Sequence, residues 1–470
     1  MLTRLFSPVL LLLLVACSPF RPAQTTPPKL PDTYLQQSTQ KTLSLPNRWW
    51  EAFDDPLLNQ LQQEMLAGNL DLRQALYRLE QLDALQKISG AGLWPVLNLE
   101  ASTSRNRSPA VTGSSISNSS RISLAAGYEV DLWNRLHDRQ TAAALRRRAG
   151  GKEVQTLLLS LTAQLAEQYF LAVEQRAQLQ LGQRQVARYR QLLDTTTERY
   201  RAGLATAGEI YPIRKALAQS EARLPLYRTS LNQAENRIAL LLGRFPQDRM
   251  ARVAQLPQLS SMIDVGLPAS LLARRPDISA ALLQLQATNH ELAAALAERL
   301  PAVNLTASLG RSTTRLATGN LAGSLWSLAL GLTQPLFDGG RRQAESDRQK
   351  AVREEQLAAY RLTLLKAVQE VETALAADQN SADRLARLEQ QQQAGERELN
   401  LARDNYRSGL INSSALLNSE INQLEILSQN LSARRQWLSR RITLARALGG
   451  NWMAGELSRQ QQALSQKQAE

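Results

Sequence analysis

One cysteine and two histidines leave this chain of 470 residues little with which to build a chemical site. The lone cysteine, Cys17, excludes an internal disulfide framework and any cysteine-rich zinc site. His137 and His290 lie far apart in sequence, and neither has a Cys or His neighbour at ligand spacing. Both read as solvated or packed side chains. There is no phosphate-binding glycine loop, no Ser/His/Asp arrangement and no metal spacing, so the sequence points to no enzyme and no cofactor. Aromatics are scarce at 5%, and Leu, Ala, Gln, Glu and Arg dominate, a composition of long helices rather than of a β-sandwich.

Charge is less informative than its size suggests. The net +13 could mean nucleic acid or an anionic surface. Yet the basic residues are spread along the chain, and the densest run, "RRR" at 146–148, is short and lacks interleaved aromatics. A solvated, mildly cationic surface with no nucleic-acid partner is the reading.

The first residues read "MLTRLFSPVLLLLLVACSPF". Arg4 gives a basic start, and "VLLLLLVA" is too short to span a bilayer, so residues 1–16 are expected to be a secretory signal peptide. "LVAC" resembles the bacterial lipoprotein cleavage box, which makes Cys17 the expected lipidated first residue. Ser18 stands where an Asp would imply retention at the inner membrane, so sorting to the outer membrane is expected. "SPFRPAQTTPPKLP" is Pro-rich and polar, an extended tether.

The chain repeats itself at a spacing of 206 residues. "LWPVLNLEASTSR" (93–105) matches "RLPAVNLTASLGR" (299–311), "NLDLRQAL" (69–76) matches "RPDISAAL" (275–282), and "LLLGRF" (240–245) matches "RALGGN" (446–451). "YRAGL" around Gly203 matches "YRSGL" around Gly409. This is an internal duplication whose period is too long for a solenoid. The expected halves are 57–243 and 269–449, flanked by segments 17–56, 244–268 and 450–470.

Each half holds two stretches that alternate with period two. Leu97, Leu99, Ala101 and Thr103 oppose Asn98, Glu100, Ser102 and Ser104, and Trp326, Leu328, Leu330 and Leu332 oppose Ser327, Ala329, Gly331 and Thr333. Strands are expected at about 95–106, 120–132, 301–311 and 324–337, joined by Gly/Ser/Thr-rich hairpin loops. One apolar and one small-polar face is the pattern of a transmembrane β-barrel, but closure needs about eight strands or more. Either the sheet lies outside a membrane, or several chains share one barrel; an open edge in hydrocarbon would strand its N–H and C=O groups. Trp94 and Trp133, where strands meet helices, mark either a membrane interface or packing against the helices.

The remainder reads as helix, at about 137–202, 204–243, 339–408 and 410–448. Val154, Leu157, Leu161, Leu165, Tyr169 and Val173 form one narrow stripe, and Leu357, Tyr360, Leu364, Val368, Val371 and Leu375 form another. Gly150, Gly151, Gly182 and Gly395 are expected to interrupt or bend the long helices, and Pro212 and Pro225 to kink the shorter one. "DGG" at 338–340 reads as a strand-to-helix turn capped by Asp338. "WW" at 49–50 reads as core rather than a ligand site.

In order along the chain stand "RWWEAFDDPLLNQL", "AGLWPVLNL", "YEVDLWNRL", "YRAGL", "LPASLLARRPDISAALLQLQATNHELAAALAERLPAVNL", "TQPLFDGGRR", "YRSGL" and "ALGGNW". This series resembles the TolC family of outer-membrane efflux proteins, in its lipidated multidrug-efflux branch that serves RND-type pumps. The resemblance covers nearly all of the chain after Cys17. It implies an α+β fold in a homotrimer. Four strands per chain build a twelve-strand barrel among outer-membrane lipid, continued by a long periplasmic α-helical barrel with a mixed equatorial belt. It implies a passive exit duct in a Gram-negative outer membrane, fed by an inner-membrane efflux pump through a periplasmic adaptor protein.

The resemblance also places the two helix–helix turns at the periplasmic tip. Tyr200, Arg201, Gly203, Leu204 and Thr206 in one copy, and Tyr406, Arg407, Gly409 and Leu410 in the other, are then the adaptor-contacting residues. Packing within the hairpin is the other reading for the Tyr and Leu side chains; turn conformation alone accounts for the glycines. Relatives carry Asp soon after the second tip glycine. Here the region offers Asn412, Ala415, Asn418 and Glu420 as the possible pore constriction, with Glu209 a further acidic candidate. Two rival functions stand beside efflux: the duct of a type I protein secretion system, and a structural periplasmic coiled-coil lipoprotein.

Overall fold

The computed structural model describes residues 42–43, 48–110, 113–246, 255–257, 262–263, 274–316 and 319–469. The expected signal peptide, Cys17, Ser18, most of the tether and most of 244–268 lie outside the described residues.

Helix α1 (Pro56–Gly68) starts where Asp55 accepts the N–H groups of Leu57 (3.0 Å) and Leu58 (3.1 Å), with Pro56 in the first turn. Helix α2 (Leu70–Ala91) follows at once, because the Asn69 side chain accepts from Leu72 N–H at 2.8 Å. Strands β1 (Val96–Ala110) and β2 (Gly113–Val130) come next, then α3 (Arg135–Arg201) and α4 (Ala207–Leu241). The second copy supplies α5 (Pro276–Ala297), β3 (Ala302–Leu316), β4 (Gly319–Thr333), α6 (Arg341–Arg407) and α7 (Ser413–Leu448), and α8 (Trp452–Ala469) ends the chain. The starts of α5, β3 and α6 each follow those of α2, β1 and α3 by 206 residues.

Two compact units result. Among the described residues, one comprises 77–152 and 278–363 and holds the sheet. Its order is β1-β2-β3-β4, all antiparallel. Register sets the faces: Leu99, Leu124, Leu309 and Trp326 lie in one row across all four strands. They are 70%, 46%, 61% and 78% exposed, so this apolar face is uncovered. The opposite face carries rows such as Asn98, Ala125, Ser308 and Ser327. The expected long hairpin loops are not there. β1 runs to Ala110 and β2 starts at Gly113, while β3 runs to Leu316 and β4 starts at Gly319. Ladder hydrogen bonding continues through side chains whose composition reads as loop. The apolar alternation also overran the strands: Leu132 and Leu336 lie past the ends of β2 and β4.

In this unit Ala142, Leu145 and Ala149 of α3 pack on Leu283 and Ala287 of α5. Gly150 does not interrupt α3. A Cβ there would press into the Leu82 side chain, so the glycine is a contact notch. Trp133 donates its indole N–H to Pro301 C=O at 2.6 Å, which settles it as packed, whereas Trp94 is 73% exposed.

The other unit is made of the described residues that fall within 42–76, 153–277 and 364–469. Trp49 and Trp50 are buried in it, with Trp50 edge-on to Trp452 (4.9 Å between rings) and Phe53 edge-on to Phe170 (5.0 Å). Thr42–Leu43 pairs in parallel with Met262–Ile263. Gly182 and Gly395 also leave their helices unbroken: added Cβ atoms would meet Leu224 in one case and Gln423 and Ile426 in the other. Pro212 and Pro225 stand inside α4, each removing one backbone donor without ending it.

Candidate functional site: the two helix reversals

The α3–α4 and α6–α7 reversals are built from the same backbone device. Gly203 has φ +75° and Gly409 φ +72°, the left-handed region that favours glycine. Gly203 N–H bonds to Tyr200 C=O (3.0 Å) and Leu204 N–H to Arg199 C=O (2.8 Å). Gly409 N–H bonds to Tyr406 C=O (3.0 Å) and Leu410 N–H to Asn405 C=O (2.9 Å). These paired bonds are the Schellman helix end, which satisfies the last carbonyls of a helix while turning the chain. Nothing lies within 4 Å of where a Cβ would stand on either glycine, so conformation and not space requires them.

The next helices begin differently in the two copies. Glu209 reaches back to accept Thr206 N–H at 3.0 Å, in the positions of a capping box. Asn412 instead caps α7 by accepting Ala415 N–H at 2.9 Å. Beneath the turns Leu192, Leu417 and Ile421 form a small core, with Tyr189 and Ile213 against it.

Tyr200, Leu204, Tyr406 and Leu410 are 48%, 68%, 45% and 74% exposed, so packing within the chain covers about half of each tyrosine and less of each leucine. Arg201, Thr206 and Arg407 are exposed as well, with Arg407 3.5 Å from Asp404. Asn412 and Asn418 are exposed and Ala415 half-buried. Glu420 is held by Arg188 at 2.9 Å, with Arg403 at 3.8 Å. Its charge is therefore balanced inside the chain, and Glu209 is engaged in its cap. Arg188 lies more than two hundred residues before Glu420, and no local pattern announces the pair.

A third Schellman end stands at Gly243 (φ +72°), where Gly243 N–H bonds to Leu240 C=O (3.0 Å) and Arg244 N–H to Ala239 C=O (2.9 Å). This glycine is constrained by space too, since a Cβ would press on Gly68 C=O. Among the described residues no group of His, Cys, Asp and Glu side chains could hold a metal, and no helix is long and apolar enough to cross a membrane. What the chain offers is an apolar sheet face and two exposed helix reversals.

Comparison with known proteins agrees with this layout. The chain is 30% identical over 464 residues to the pyoverdine export outer membrane protein OpmQ of Pseudomonas putida, covering 96% of this chain and 98% of that protein. It is 30% identical over 410 residues to the toluene efflux pump outer membrane protein TtgF of Pseudomonas putida, covering 86% and 85%. The outer-membrane channel OprN superposes with a TM-score of 0.82 at 26% identity, covering 92% of this chain and 99% of that one. The open MtrE channel of Neisseria gonorrhoeae does so with a TM-score of 0.77 at 27% identity, covering 92% and 98%. The family description "outer membrane efflux protein" matches residues 61–244 and again 267–450, two matches offset by the same 206 residues as the repeats. A match to both copies, over most of the chain, shows that this protein belongs to the outer membrane efflux protein family.

Proposed function

We propose that the chain is the outer-membrane exit duct of a tripartite efflux system, conducting solutes passively outward from a periplasmic adaptor and an inner-membrane pump of RND type. The observation that carries this reading is the sheet. It has four strands, an uncovered apolar face and two unpaired edges at β1 and β4. In lipid those edges must be paired, and three chains placed head to tail around a three-fold axis pair all of them. Relatives named for pyoverdine and for toluene carry compounds of unlike size and polarity, which fits a duct that does not select its cargo. Transport of this kind requires no covalent chemistry from the chain.

Acylation of Cys17 would add a lipid anchor. The exposed Tyr200, Arg201, Leu204, Thr206, Tyr406, Arg407 and Leu410, presented by Gly203 and Gly409, form the adaptor-contacting surface. Asn412, Ala415 and Asn418 narrow the pore, with Glu420 neutralised behind them. Deleting the gene should raise drug sensitivity, and the wild-type chain should restore resistance and run as trimers on a gel after mild heating. Gly203→Val and Gly409→Val should leave trimers in the membrane yet weaken adaptor docking and efflux. Normal pumping by both variants would sink the adaptor assignment; salt-extractable monomers of the wild-type chain would sink the duct.

A further inference from the structure

The two open strands of the sheet lead into uncovered apolar side chains at the same end. Trp94 stands just before β1 and is 73% exposed. Leu336 and Phe337 stand just after β4 and are 93% and 92% exposed. In this antiparallel order β1 starts where β4 finishes, at the end where strands give way to helices. The Leu336–Phe337 segment is pinned on both sides. Gln334 donates to Arg299 C=O at 3.2 Å, and Arg342 donates to Asp338 at 3.0 Å. The pair is thus held out rather than loosely hanging. Three large apolar side chains held uncovered at one rim mark a contact surface.

Register sets the level of the two open edges at this end. Val96 is level with Gly127, Gly127 with Thr306, and Thr306 with Ala329. β2, β3 and β4 all run past that level, β4 as far as Thr333. These three strands end within one residue of each other there, with Val96 of β1 three to four residues short. A neighbouring β1 that starts within about two residues of the end of β4 brings its own preceding tryptophan level with residues 335–337. We infer that Trp94 of each chain seats against Leu336 and Phe337 of the next, an aromatic clasp that seals each seam of the trimer. A tryptophan edge on a phenylalanine face is a favourable pairing, and the seam excludes water from all three side chains. The occupant is a second copy of this chain, because the clasp continues the edges that only another copy completes. The inference rests on the closed barrel proposed above.

Cross-linking tests it in the full chain. A Trp94→Cys, Phe337→Cys double variant, treated in membranes with a short bifunctional maleimide, should give covalent dimers and trimers on a reducing gel. Either single variant should give none, since three-fold symmetry keeps like positions apart. Heat-stable trimers without the 94–337 cross-link would overturn the clasp and leave the barrel standing. Absence of wild-type trimers would overturn the barrel itself. If the cysteine variants fail to insert, a Trp94→Leu, Phe337→Leu double-mutant cycle on the trimer dissociation temperature decides. The double variant should fall little further than the worse single one. Additive losses, with Trp94 fluorescence quenched by brominated phospholipid, would show that the ring faces lipid instead.

Discussion

At one position the two copies of the repeat carry opposite charges. Glu235 on α4 and Arg441 on α7 are equivalent, both are buried, and both are paired to the long helix before them. Glu235 lies 2.5 Å from Arg176 of α3, and Arg441 lies 2.7 Å from Asp378 of α6. The partners are not equivalent: Arg176 aligns with Ala382, and Asp378 with Ala172, one helical turn away. Sign and partner have both changed while a pair has been kept. What the fold forbids is a buried charge without a counter-charge, not a charge of one kind.

The helix junctions teach the same lesson in milder form. Asn69 donates to Leu241 C=O at 2.8 Å, and the equivalent Arg275 donates to the equivalent Ala447 C=O at 3.1 Å. Asn69 also caps α2, whereas Arg275 also binds Asp277 (2.7 Å) and Glu370 (2.8 Å). The glycines at two helix ends, Gly243 and Gly449, are by contrast the same in both copies. Gly243 and Gly449 both take positive φ, and a Cβ on either would press on a backbone carbonyl, that of Gly68 or Arg274. Backbone geometry is conserved between the copies where polar chemistry is not.

That contrast can be broken on purpose. Glu235→Arg, which gives the first copy the second copy's residue, sets two guanidiniums together and should cost about 3–5 kcal/mol. Thermal unfolding of the helical signal in detergent measures it, and Arg176→Glu added to the same chain should recover most of the loss. No recovery would mean that the pairing is incidental. Next, Gly243→Ala and Gly449→Ala should each cost about 2–4 kcal/mol, and nearly equally, because strain and backbone overlap act in both. A large difference in their melting temperatures would break the claim of shared geometry. Arg275→Ala should cost about 2–3 kcal/mol and Asn69→Ala about 1 kcal/mol, an unequal pair in the same assay.

The smallest effect is a pH slope that the first copy owes to one carboxyl. Burial lifts the Asp138 carboxyl above its ordinary 3.8, against the pull of His290, which lies 2.7 Å away. The folded chain therefore holds this proton at a pH where the unfolded chain has lost it. Stability from this group is greatest in acid and falls as pH rises from about 4 through the raised value. The equivalent residue in the second copy is Ala344. Asp138→Asn should flatten the melting temperature above about pH 4, and an unchanged slope would place its origin elsewhere.

The repeat made much of this architecture legible, because a common offset carries helix, strand and turn assignments from one copy to the other. Composition misled where one residue type serves two purposes. Ser, Thr, Asn and Gly between 106 and 120 look like a loop, yet their backbones stay in the ladder almost to the turn. Gly150, Gly182 and Gly395 look like breaks, yet they are notches for a neighbouring helix. Local sequence cannot tell a glycine needed for its φ from one needed for its size. Gly203 and Gly409 were readable because the motif around them, YRAGL and YRSGL, recurs at the repeat spacing. The neutralisation of Glu420 was not, since Arg188 and Arg403 approach it from two other helices, α3 and α6.

The open edges of the sheet also govern how such a channel accumulates. A single chain cannot finish its own barrel, so the final folding step is an encounter among three. Its rate then depends steeply on how many unassembled chains share the same patch of membrane. Halving synthesis should lower the number of finished channels by more than half at early times. Unpaired strands waiting for neighbours are also the species most exposed to proteolysis and to mispairing. Dosage of this gene should therefore act on efflux as a threshold rather than in proportion.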